Sequence, residues 1–206
     1  MHPKGSPQWR SRGYIPHFDA GSVPQSITFR LFDSLSPEQI YRWSIEQGRL
    51  TPEQRKSQEV FMLDSCLDQG EGAKWLMQPK IADLVQRAML FFDGERYDLH
   101  GWVVMPNHVH ALFTPKKADG LAEIVGGWKS YTAKEANKIL GRKGPFWQKE
   151  YYDRVVRNPR HFDRVKDYIE NNPVKAGLCK TPQEWKYTSA GRQTPVWIVP
   201  PYLQID

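Results

Sequence analysis

Long apolar runs are missing from this chain of 206 residues. No stretch approaches the roughly 20 consecutive apolar residues that a membrane helix needs, which excludes a spanning helix. Cysteine is scarce. Cys66 and Cys179 are the only two, and a pair so far apart fits no metal-ligand or disulfide pattern. The opening MHPKGSPQWRSRGY has no apolar segment like that of a signal peptide. A reducing, cytoplasmic setting is therefore expected, beside the nucleoid if the partner is DNA. Acidic residues run short in one region only. Lys116 to Lys175 holds 14 Lys/Arg against 8 Asp/Glu, while the rest of the chain holds 15 of each, so the whole net charge of +6 falls in that stretch. Positive charge concentrated this way favours a polyanion, and nucleic acid is the commonest one.

What is present is ordinary for one globular domain with a sizeable core: 39% hydrophobic and 25% charged residues. Residues 1–25, rich in Gly, Pro, Ser and Arg, read as an extended arm. SITFRLFD (26–33) alternates as a strand should. Ser36-Pro37-Glu38-Gln39 is a helix start signal for PEQIYRWSIEQG, and Thr51-Pro52-Glu53 opens a second helix toward Cys66. From Pro79, the residues Ile81, Leu84, Val85, Ala88, Met89 and Phe92 recur at helical spacing. Strands over 97–105 and 108–114 then form a hairpin through Pro106-Asn107. Residues 119–140 carry a helical pattern interrupted by Gly126-Gly127. Residues 145–158 read as a strand, and Pro159 opens a helix that Pro173 is expected to end. The order predicts an α+β sandwich, an antiparallel sheet with helices packed on one face. Residues 26–190 make the single domain, with a helical insertion at about 45–75 and a tail over 191–206.

The hairpin poses the functional question. In GWVVMPNHVHALFTP (101–115), His108 and His110 stand two apart in a strand, and so share one face. Two imidazoles at that separation can ligate one metal ion. Two half-buried histidines bonded to backbone are the plainer reading, and a lone H-x-H needs a third ligand and a reactive group. The helix from Pro159 offers both. Phe162, Val165 and Ile169 form its apolar stripe, while Tyr168 and Asn172 sit one turn apart on its flank. A tyrosine at such a rim packs its ring and keeps its hydroxyl toward a cleft. Tyr151-Tyr152 competes as the source of a nucleophile, but a structural role suits both residues better.

The pieces VVMPNHVHALF, GWKSYTAKEANK, FWQKEYYDRVVRN and DYIENNPVKAGL, in this order over roughly residues 80 to 190, resemble the single-tyrosine HUH transposases. The branch is that of the REP-associated tyrosine transposases. The resemblance implies a ferredoxin-like fold with the HUH motif on a central strand. It implies that His108, His110 and Asn172 hold a divalent metal, Mg²⁺ or Mn²⁺, and that Tyr168 is the catalytic nucleophile. The implied chemistry is cleavage and rejoining of single-stranded DNA at hairpin-forming repeats through a 5′-phosphotyrosine intermediate. A metal-dependent hydrolytic nuclease with a structural Tyr168, or a hairpin-binding regulator without chemistry, are the competing readings. Monomer and homodimer both fit.

A backbone that must be reached favours a single strand. Candidate phosphate contacts are Arg12 in the arm, Lys129, Lys134 and Lys138 on the helix, Arg142, Lys143 and Lys149 beyond it, and Arg154, Arg157 and Arg160 before the tyrosine. Trp128, Tyr131, Phe146 and Trp147 are candidates for base stacking.

Overall fold

The strand at the histidines alternates strictly, and that alternation decides the layering. The structure, a computed structural model, describes residues 8–11, 16–36, 72–116 and 120–195, with isolated positions such as Gln39, Leu67 and Trp197. Six strands are described: β1 (Gln8–Ser11), β2 (Pro16–Asp19), β3 (Gln25–Arg30), β4 (Tyr97–Val104), β5 (His108–Pro115) and β6 (Tyr152–Val155). Three long helices accompany them: α1 (Pro79–Leu90), α2 (Leu121–Ile139) and α3 (Pro159–Lys175). The main sheet runs β4-β5-β3-β6 and every pairing in it is antiparallel. With the chain order β3-α1-β4-β5-α2-β6, this is the ferredoxin-like βαββαβ arrangement. β5 lies inside the sheet, so the expected central position of the histidines holds.

On β5, Val109, Ala111 and Phe113 enter the larger core with Ile81, Leu84 and Val85 of α1 and Ile124, Val125 and Trp128 of α2. Leu112, two residues beyond His110, packs instead with Phe162 and Ile169 of α3. The layering is thus fuller than the one-faced sandwich expected from element order. α1 and α2 share one face, and α3 covers the other. Helical periodicity reveals that a helix has an apolar stripe, but not which side of a sheet receives it.

Local signals set most boundaries. Ser36 and Gln39 exchange side-chain-to-backbone hydrogen bonds of 3.0 and 3.2 Å, a capping box at the expected start. The helices expected beyond it, and the insertion at 45–75, lie almost wholly outside the described residues, as does Arg12. The Pro106-Asn107 turn closes with Met105 N–H donating to His108 O at 2.9 Å. Asn158 caps α3, accepting from His161 N–H at 2.8 Å, with Pro159 in the first turn. Pro173 does not end α3; the helix runs on to Lys175. Proline takes from Ile169 O its helical donor, yet only a short final turn follows it, and Gly177 at φ 70° provides the stop. Gly126 and Gly127 sit within α2, and a Cβ at either would meet nothing within 4 Å. Each costs the helix roughly 1 kcal/mol relative to alanine.

Two expectations at the ends change. The arm is not open throughout, since β1 and β2 pair as an antiparallel ribbon. The start of the tail returns to the sheet. His100 bonds Pro195 O at 2.7 Å, and the Trp197 ring lies 5.6 Å from that of Phe162. Among the described residues no helix is long and apolar enough to cross a membrane.

Candidate active site

The sheet delivers two imidazoles to one point. His108 and His110 are buried on the α3 side of β5, with their Nε2 atoms 3.0 Å apart. Each is held from behind by a different element. Asn107 donates through Nδ2 to Leu67 O at 3.0 Å, which turns its Oδ1 toward His108 Nδ1 at 2.7 Å. That oxygen can only accept, so His108 carries its proton on Nδ1 and offers an Nε2 lone pair. Thr28, paired with His110 across β3 and β5, places Oγ1 2.8 Å from His110 Nδ1. Its hydroxyl accepts or donates, so His110 can present either tautomer. Burial, and secondarily the neighbouring His110, holds the His108 imidazole well below its ordinary pKa. A neutral imidazole is the form that ligates a metal.

α3 brings the other two groups. The Tyr168 ring stands edge-on to His110 with centroids 5.8 Å apart, half-buried as a rim position should be. The Lys175 ammonium lies 5.4 Å from the same ring. Asn172, one turn further on, is fully buried, and neither its Oδ1 nor its Nδ2 has a hydrogen-bond partner. A buried amide left unsatisfied costs about 1–3 kcal/mol. The Asn172 oxygen and the two imidazole nitrogens are donor types that a divalent cation accepts. The donor set therefore fits a divalent metal. Among the described residues no cluster of three His, Cys, Asp or Glu is present, so an ion at this pair would need the Asn172 oxygen or a substrate oxygen.

Two other tyrosines near the sheet do not compete. Tyr151 is buried in the core. Tyr97 is locked between Met89 O at 2.6 Å and Trp128 Nε1 at 2.9 Å, and burial pushes it up to about 12.

The cationic candidates divide. Arg154, Arg157 and Arg160 are exposed around the start of α3, where burial and the charges of Arg154, Arg164 and Arg157 lower the His161 pKa. Lys134 and Lys143 are also at the surface. Lys129 instead donates to Lys149 O at 2.7 Å, which ties α2 to the segment holding Lys149. Lys138 pairs with Glu135 at 2.8 Å. Arg142 donates to Pro145 O at 3.2 Å and covers the Trp75 ring at 5.4 Å. Of the aromatic candidates, Trp128, Phe146 and Trp147 are buried in the core and unavailable to a base; Tyr131 is 55% exposed. Asn107 and Thr28 were not singled out from the sequence. Asn107 reads as a turn residue, and Thr28 reaches the site only through long-range strand pairing.

The structure places a histidine pair on an inner strand of a ferredoxin-like sheet, faced by a helix-borne tyrosine. Residues 77–172 match the family model described as Transposase IS200 like. Over 96 residues the chain is 28% identical to the REP-associated tyrosine transposase of Escherichia coli (strain K12), a match covering 47% of this chain and 56% of that one. The chain thus spans little more than half the length of that curated relative. A solved structure of a REP-associated tyrosine transposase bound to a REP hairpin aligns over 89% of this chain and 82% of its own, with a TM-score of 0.54 and 19% identity. A likeness at that identity speaks for the fold. Through these matches the chain is similar to the REP-associated tyrosine transposases over less than half of its length.

Proposed function

We propose that this protein is a transposase-type enzyme that cuts and rejoins single-stranded DNA at hairpin-forming repeats, using Tyr168 as nucleophile. The observation that carries the reading is the convergence of three features: the paired Nε2 atoms, the edge-on Tyr168 ring and the unsatisfied Asn172 amide. His108, His110 and Asn172 would hold Mg²⁺ or Mn²⁺; imidazole nitrogen suits Mn²⁺ better. When bound, the cation would neutralise a non-bridging oxygen and orient the scissile phosphate. The Tyr168 hydroxyl forms the new bond to phosphorus as the bond to the 3′ oxygen breaks. The phenol loses its proton, and the departing 3′ oxygen gains one. An unassisted phenol, with a pKa of about 10, is a poor nucleophile at neutral pH. The phosphotyrosine keeps the energy of the original ester, so attack by another 3′ hydroxyl rejoins strands without ATP.

Arg154 on β6, Arg157 in the loop after it and Arg160 in the first turn of α3 are all exposed and are the phosphate contacts favoured here; Lys134 and Lys143 are the next candidates. Labelled single-stranded DNA incubated with protein and Mn²⁺ is expected to yield a band that survives denaturation, and a chelator should remove it. Cleaved DNA with no protein-linked band would instead make the enzyme hydrolytic.

Asn107 acts on this chemistry through His108. Asn107→Ala frees the ring to turn or change tautomer, and is expected to weaken Mn²⁺ binding about 10- to 100-fold. Paramagnetic resonance of free Mn²⁺ measures this directly, and an unchanged affinity would exclude the orienting role.

A further inference from the structure

The face of the sheet away from the histidines carries a cavity of about 500 Å³ between the end of α1, the following loop and the middle of α2. Leu84, Ile124, Tyr97 and Trp128 form apolar and aromatic walls. Phe91, 73% exposed, and Tyr131, 55% exposed, stand at its border. Arg87 and Arg96 are the charged residues that line it, and no carboxylate does. The Arg96 guanidinium lies 5.2 Å from the Phe92 ring, whose plane is nearly perpendicular to that of Phe91. Gly127 completes the lining, and nothing within 4 Å of its missing Cβ requires a glycine. A side chain there would project toward the space that glycine leaves open.

We propose that this cavity takes an unpaired nucleotide of a single-stranded nucleic acid, with the base against the exposed Phe91 and Tyr131 rings and the phosphate at Arg87 and Arg96. The assignment rests on the nucleic-acid reading above. Three features favour this occupant. The volume falls in the range of small-ligand pockets, about 300–1,000 Å³. Exposed aromatic faces accept any base by stacking, and guanidinium groups match phosphate in shape and charge. An apolar protein segment would engage only the rings, whereas a nucleotide engages the rings and the cations together.

The test is titration of an oligodeoxyadenylate of about ten nucleotides into metal-free wild type, Gly127→Leu and Gly126→Leu. Leucine is a good helix former, so both variants should melt at or above the wild-type temperature. Gly127→Leu should weaken binding about tenfold, whereas Gly126→Leu, outside the lining, should not. The same backbone made abasic should bind wild type and Gly127→Leu alike. Equal oligodeoxyadenylate affinity for wild type and Gly127→Leu would overturn the assignment, as would an equal loss in Gly126→Leu. No cleavage is read, so failure of the tyrosine chemistry leaves this result standing. If wild type binds no oligonucleotide at all, the nucleic-acid reading falls and the cavity assignment with it.

Discussion

Tyr168→Phe is expected to abolish the covalent protein–DNA adduct, lowering its rate of formation by at least about a thousandfold, while affinity for single-stranded DNA stays within about twofold. The substitution removes one oxygen. It keeps the ring that stands edge-on to His110 and lies beneath the Lys175 ammonium. Packing of α3 against Val103, Leu112 and the rest of the smaller core should therefore survive. Binding is assigned to arginines around the other end of α3, so it should not sense the loss. A Tyr168→Phe protein that still forms adduct would move the nucleophile elsewhere, and one that binds no DNA would make the hydroxyl a binding group.

Asn172→Leu should have opposite effects on stability and activity. Asparagine at this position is buried with both polar atoms unpartnered, a cost the metal-free protein bears. Replacing it with an apolar side chain of similar volume is expected to stabilise the metal-free protein by about 1–2 kcal/mol. For a chain of this size that raises the melting temperature by roughly 2–8 °C. The same change removes the oxygen donor from the metal site, so added Mn²⁺ should no longer raise the melting temperature, and adduct formation should fall with it. A residue retained only for packing would show the first effect without the second. Destabilisation of the metal-free protein by leucine would mean that Asn172 has a structural partner, contrary to the orphaned amide.

How legible these groups were depends on how local their geometry is. His108 and His110 share a face because a strand has a period of two, and Tyr168 and Asn172 share a flank because a helix has a period near four; both follow from spacing alone. The side of the sheet that α3 covers does not. It is settled by which β5 residues meet Phe162 and Ile169, a contact between segments about fifty positions apart. Thr28 illustrates the same limit. Nothing in ITFRL marks it as the residue that meets His110 Nδ1; only the β3–β5 register does. Asn107 was visible as a turn residue, and its bond to His108 needed Leu67 O to hold the amide in place. The aromatic and basic candidates divide for a common reason. Trp128, Phe146 and Trp147 fill the core, and Lys129 and Arg142 bond to backbone carbonyls, because composition records that such residues exist but not whether the fold has already used them. Pro173 was given too much weight as a stop: α3 continues to Lys175, and the left-handed Gly177 ends it.

The central claim is that Tyr168 itself takes the phosphate. Wild-type protein incubated with Mn²⁺ and a single-stranded hairpin substrate, digested and sequenced by tandem mass spectrometry, identifies the residue that carries DNA. The expected result is a nucleotide mass on the peptide containing Tyr168, located at that side chain and absent when chelator is added. Nucleotide on Tyr151, Tyr152 or any other residue, or cut DNA with every peptide unmodified, would contradict it.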